Sequence, residues 1–271
     1  MKLAALMARA AGGAAIGAVG AFLLLPVLAL LLQVRPRTLL AELADPTVLD
    51  ALRLSLLTSA GATVVVVLLG LPVGLLLGTR EFPGKRLLEA LVALPMVLPP
   101  TVAGLALLLA FGRTGLLGGA LSLLGITVPF STLAVVIAQV FVALPFFIGA
   151  SAAGFRGVNR AYTEVAATLR ASRPYTAARI LVPLSVPSLA AGAAMGWARA
   201  LGEFGATITF AGNVPGVTQT MPLAVYLRLE TDFDAAIALA LMLLAVSFGV
   251  LFALGASPFS LGRTGAAGAS R

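Results

Sequence analysis

EVAATLRASRPYTAARILVPL, residues 164–184, is a polar, basic stretch set between two long apolar runs. A chain that only crosses lipid has no need of such a segment, whereas one that grips a soluble partner does. The surroundings read as membrane. The 271 residues are 60% hydrophobic and 10% charged, against roughly 25% charged residues in soluble domains. The apolar residues come in runs of about 20, the length that crosses about 30 Å of hydrocarbon, rather than the short alternating segments of a β-barrel. The pattern predicts an all-α integral membrane protein with six transmembrane helices over residues 12–32, 54–77, 88–111, 133–153, 185–207 and 235–254. Lys2 and Arg9 precede the first run, as in a secretory leader. The run is long for a leader and no small-x-small cleavage site ends it, so it is read as a retained span.

The charges between the spans sort by side. Lys2, Arg9, Arg80, Lys85, Arg86, Arg156, Arg160, Arg170, Arg173, Arg179, Arg263 and Arg271 fall on one side, and only Arg35, Arg37, Arg53, Arg113 and Arg228 on the other. Basic residues are retained in the cytoplasm, which predicts a multi-pass membrane protein with both termini cytoplasmic. Residues 154–183 then form a cytoplasmic loop and residues 208–234 an external one. The net charge of +8 follows this alternation, so it reads as topology and gives no reason to expect nucleic acid.

Within the cytoplasmic loop, Tyr162, Val165, Ala166 and Leu169 fall at i, i+3, i+4 and i+7, one narrow face of a helix. Asn159 suits its N-cap. Ser172-Arg173-Pro174 ends the run and can begin a second short helix with Pro in its first turn. Pro183 and Pro187 mark re-entry into the membrane. Such a helix fits either a groove on another protein or the lipid surface.

This loop resembles that of permease subunits of ATP-binding-cassette importers, which carry Glu-Ala-Ala, a Gly four residues after the second Ala, and then Ile-x-Leu-Pro. Glu164, Ala166, Ile180 and Pro183 match; Val165, Arg170 and Val182 depart from it. If the family's Gly serves a turn with positive φ, Arg170 is expected to alter that turn. Three further segments narrow the resemblance: LPMVLPPTVAG (94–104), GRTGLLGG (112–119) and ARALGEFGATITFAGNVPGVTQTMPLAVY (198–226). Together they look like molybdate-type oxyanion permeases, with sulfate and tungstate permeases close by. The resemblance runs over about residues 52–254, LGEFGATITFAGN being its most specific piece. It implies a type I importer permease fold as one domain over 1–271, with a peripheral first span, core spans over about 54–254 and a coupling loop at 154–183. It also implies a homodimer, two copies of a cytoplasmic ATPase beneath the loops and an extracytoplasmic oxyanion-binding protein. ATPase coupling would fall to Glu164, Val165, Ala166, Leu169, Arg170, Ile180 and Pro183.

Pro95, Pro99 and Pro100 should prevent a continuous helix at the start of the third span. Broken backbone at membrane depth survives only against protein or a water-filled cavity, so Pro99 and Pro100 are candidates for a pathway wall or for a simple interfacial turn. Arg199 and Glu203 are the charges expected inside the fifth span, ~17 and ~23 Å from Ser188 at ~1.5 Å per residue. Four apart, they share a face. A dianion would be drawn to Arg199, but Glu203 cancels most of that attraction, which favours a structural pair at the outer gate. Thr207, Thr209 and Asn213 could line an anion route with hydroxyls and backbone N–H groups, although a Gly/Thr-rich loop is more often only a turn. Gly192 and Gly196 form a GxxxG pattern that permits close packing, either between subunits or within one.

The chain has no Cys and no His, which removes thiolate and imidazole chemistry and the usual transition-metal sites. It has no GxxxxGK[ST] motif, since Gly84-Lys85 lacks both the upstream Gly and the Ser/Thr. The expectation is a transport subunit rather than an enzyme, without cofactors of its own, with ATP and magnesium on a partner chain. An ion-coupled carrier would need buried carboxylates along a path, and Glu203 alone qualifies. An intramembrane enzyme has still less to work with.

Overall fold

The computed structural model describes residues 2–253. Leu254 and the tail carrying Arg263 and Arg271 lie outside the described residues. Every regular element among them is helical: α1 (Lys2–Gln33), α2 (Pro36–Ala44), α3 (Pro46–Thr79), α4 (Lys85–Val97), α5 (Pro100–Phe111), α6 (Gly118–Leu123), α7 (Thr132–Gly157), α8 (Arg160–Thr168), α9 (Arg173–Thr176), α10 (Val182–Leu201), α11 (Gly205–Phe210), α12 (Met221–Thr231) and α13 (Phe233–Ala253). Five helical runs in this range are long and apolar enough to cross a membrane, and α4 with α5 makes a sixth if counted as one broken span.

α7 is the centre of the bundle. One side of it packs on α3 and α10 through Ala62, Val66, Ala143, Phe147 and Ala200. Its N-terminal half packs on α5 and α11 through Ala103, Leu107, Ala138, Ala206 and Phe210. Lipid offers no hydrophobic drive for helices to associate, so close backbone approach has to supply the contact energy. α3 supplies it with Gly70, Gly74 and Gly78, four apart, each facing α7; a Cβ on Gly74 would run into Ser151. On the far side, α12 and α13 close on the start of α3 through Val48, Met221 and Leu239. α1 touches this core along α13; Val27 and Leu30 are half-buried, while most of its other described large apolar side chains, Phe22 and Leu32 among them, are exposed.

The break expected from the prolines of the third span is present, while the part given to Pro95, both ends of the fifth-span helix and the external loop are corrected. The third span is two helices, bent by 114° between Val97 and Pro100. Leu98 (ψ 131°) and Pro99 (ψ 138°) are both extended, the conformation forced on a residue that precedes proline. Pro95 does not contribute to this break and lies inside α4. The helix of the fifth span does not begin at Pro183 or Pro187. A continuous helix runs from Arg173 to Leu201, with a π-helical turn at Ala177–Leu181 in which the Val182 N–H reaches the Ala177 carbonyl. This wider turn stands just before Pro183, whose ring cannot accept a normal α-helical neighbour four residues back. Nor does the fifth span extend to residue 207: it ends at Leu201, so Glu203 lies beyond it. The external segment 208–234 is not merely a loop, since it carries the eleven-residue α12.

Candidate functional site

Two of the stretches that carry the resemblance, 94–104 and 198–226, meet. Gly205, the first residue of α11, lies so close to α5 that a Cβ there would come within 2.5 Å of the Pro100 ring. Gly104 of α5 faces α11 equally closely, where a Cβ would lie 2.7 Å from the Ala206 carbonyl oxygen and the Thr209 Cβ. The broken third span and the end of the fifth are thereby held together by glycines that admit no side chain. Pro99 and Pro100 are exposed beside this junction.

Glu203 organises the turn that follows α10. Its side chain is 1% exposed, and both carboxylate oxygens are engaged. One pairs with the Arg199 guanidinium at 2.6 Å, and the other accepts the Ala206 N–H at 2.8 Å. The second contact satisfies an N–H at the start of α11 that has no partner within its own helix. Arg199, about a third exposed, brings the cation that makes a buried carboxylate tolerable. The structural pair expected from the sequence is formed, with Glu203 in a linker instead of inside the span.

Downstream, Thr207 is fully buried and its hydroxyl has no hydrogen-bond partner among the described residues; the same holds for Asn213 Oδ1 and, on α7, Gln139 Oε1. Thr209 spends its hydroxyl on the Gly205 carbonyl at 2.9 Å. Gly212 turns the chain at φ 75°. α12 is anchored through the Met221 N–H, which donates to Ser55 Oγ of α3 at 2.7 Å. Gly192 packs against Ala150 and Phe147 of α7, so this half of the GxxxG pattern serves contact within the subunit.

At the opposite end, α8 forms as the periodicity predicts. Asn159 caps it by accepting the Ala161 N–H at 2.9 Å. Ala166 is buried, while Tyr162, Val165 and Leu169 are 55, 58 and 77% exposed. Glu164 is exposed and forms no ion pair among the described residues. Arg170 adopts φ 57°. Around it the Ala171 N–H reaches the Ala166 carbonyl at 2.9 Å and the Arg170 N–H reaches the Ala167 carbonyl at 3.0 Å. These bonds are the Schellman ending that usually takes glycine, so the turn persists with arginine in it. Ser172 accepts the Tyr175 N–H at 3.4 Å and starts the next helix. Ile180 lies in the π turn and Pro183 at the start of α10. The helix from Arg173 to Leu201, ~40 Å long at ~1.5 Å per residue, joins this end to the Arg199–Glu203 turn.

A family model for the binding-protein-dependent transport system inner membrane component matches residues 70–257. The chain belongs to this family. It is therefore an importer permease of the ATP-binding-cassette class and a component of the inner membrane. It is 45% identical over 236 residues to the molybdenum transport system permease protein ModB of Mycobacterium tuberculosis, covering 87% of this chain and 89% of that protein. It is 34% identical over 245 residues to the sulfate transport system permease protein CysT of Escherichia coli, covering 89% of this chain and 88% of that one. Among solved structures, a bacterial alginate ABC transporter in complex with a pentasaccharide-bound periplasmic protein superposes with a TM-score of 0.71 at 15% identity, covering 92% of each chain. At that identity the likeness speaks for the fold alone.

The glycine contacts Gly104–Ala206 and Gly205–Pro100, the α3 glycines and the Ser55–Met221 anchor were missed from sequence. Gly70, Gly74 and Gly78 do carry a legible four-residue spacing; the other contacts are long-range and leave no local pattern.

Proposed function

We propose that this permease carries molybdate inward as a homodimer, driven by two copies of a separate cytoplasmic ATPase. The observation that carries the reading is α8: a capped helix with Tyr162, Val165 and Leu169 exposed together, attached through one continuous helix to the turn held by Glu203. An apolar face of this kind suits a groove on a partner. ATP and magnesium belong to that partner. Closure of the ATPases would move α8, and the helix above it would transmit the motion to the α5–α11 junction, which needs two discrete arrangements to act as a gate. Both termini and the α8 loop are then cytoplasmic, in keeping with their arginines. A loaded oxyanion-binding protein would meet the opposite face.

Molybdate is preferred because of the ModB relative. Sulfate is the second reading, favoured by the CysT relative; tungstate and thiosulfate present similar chemistry. Glu203 neutralises Arg199 and leaves the α5–α11 junction without a strong fixed anion trap, so cargo could pass without being held. The test is uptake by proteoliposomes containing the permease, its ATPase and its binding protein. ATP-dependent entry of labelled molybdate that resists a large excess of sulfate supports the proposal. Entry that sulfate abolishes moves the assignment to sulfate, and entry into liposomes holding the permease alone removes ATP coupling altogether.

A further inference from the structure

At the α8 end of the molecule, a cavity of about 960 Å³ opens between the ends of four helices. Arg80 follows the last residue of α3, Arg156 lies in the last turn of α7, Arg160 opens α8 and Arg173 opens α9; all four line the cavity. None of the four forms an ion pair among the described residues. The carboxylate in the lining, Glu81, is already paired with Lys85 at 2.6 Å. On the membrane side the wall is apolar, with Pro72, Leu75 and Leu76 one to two turns into α3.

Two features set this cluster apart from an ordinary solvated basic face. Arg160 and Arg173 stand at helix N-termini, where the backbone dipole disfavours a cation, so their placement gains nothing from the helices that bear them. And α8 has two separate faces. At 3.6 residues per turn, Arg160, Thr163 and Ala167 look into the cavity, while Tyr162, Val165 and Leu169 lie around the helix from them, exposed.

We propose that this cavity binds a phosphate-class oxyanion. Arginines pair with such groups through parallel N–H donors, and basic pockets between spans receive anionic headgroups. A headgroup would occupy the arginine mouth and its acyl chain the Leu75–Leu76 wall; a free anion would use the mouth alone. In either case the ligand ties the ends of α3 and α7 to the inner face of α8, and so sets the stiffness with which α8 is held. The inference rests on the cavity and is independent of the cargo and of the ATPase.

The test places the full chain in nanodiscs of phosphatidylcholine, either with added phosphatidylglycerol or with inorganic phosphate in solution, and reads bound ligand by native mass spectrometry. The wild type is expected to retain phosphatidylglycerol, and Arg80→Gln/Arg156→Gln to bind it about 30-fold more weakly, at ~1 kcal/mol per basic residue. Arg86→Gln, an exposed residue outside the cavity, should bind as the wild type does. Melting of all variants in pure phosphatidylcholine checks that the fold survives. Arginine-dependent binding of inorganic phosphate without preference for phosphatidylglycerol would support the site with a free anion as its ligand. Equal retention of phosphatidylglycerol by wild type and double variant, an equal loss in Arg86→Gln, or no binding in either arm would overturn the proposal.

Discussion

Glu203 reaches back one helical turn to Arg199 at 2.6 Å while its second oxygen holds the first turn of α11. A single buried carboxylate thereby holds the first turn of α11 and neutralises a cation in the last turn of α10. Removing it as Glu203→Ala leaves Arg199 without its partner and the Ala206 N–H without an acceptor. The expected loss is ~3 kcal/mol, read as a lower melting temperature in detergent. Glu203→Gln keeps the Ala206 bond and should lose less. The double change Arg199→Met/Glu203→Gln should melt above Glu203→Ala, because no charge is left unpaired.

Gly104→Val adds atoms where the α11 backbone leaves no room. Overpacking of this kind costs ~2 kcal/mol. Because it pushes α5 away from α11, transport should fall by more than protein abundance does. Gly119→Val, at a position where a Cβ meets nothing within 4 Å, is the control and should be near neutral in both measurements.

Arg170→Gly should stabilise the end of α8. The left-handed backbone at φ 57° costs an ordinary L-residue ~1 kcal/mol that glycine avoids. Hydrogen exchange at the Ala171 amide, which donates to Ala166, should slow in the variant.

Asp45 gives a pH signature. Its carboxylate accepts the hydroxyl and the N–H of Thr47, each at 2.8 Å, and lies 3.2 Å from Arg228. The Thr47 bonds first, and then the Arg228 charge, hold its pKa below the usual carboxylate value. A depressed folded value means stabilisation that is complete above about pH 4, the unfolded value, and lost as pH falls through the folded one. Asp45→Ala should therefore melt lower at pH 7, by the ~1 kcal/mol of a lost N-cap, with the difference narrowing in acid.

The spans were legible because each is long and apolar, and α8 because Asn159 and the Tyr162-Val165-Ala166-Leu169 spacing are local signals. The ends were not. Whether a proline breaks a helix depends on its neighbours: Pro95 is absorbed within α4, two adjacent prolines at 99 and 100 break the chain, and Pro183 is relieved by a π turn. Sequence also extended the fifth span through Glu203, since nothing local announces that its carboxylate will cap a new helix. Positive φ at Arg170 went against residue preference because the Schellman bonds around it outweigh the local strain.

The central claim is that α8 is the point at which a separate ATPase grips the permease. The most direct measurement is co-purification of that ATPase with Val165→Asp/Leu169→Asp, two exposed positions whose change should leave the melting temperature unaltered. Losing two central apolar contacts should weaken association at least about 100-fold, with ATP-driven uptake lost alongside. Full association and uptake by a normally inserted variant would contradict the account.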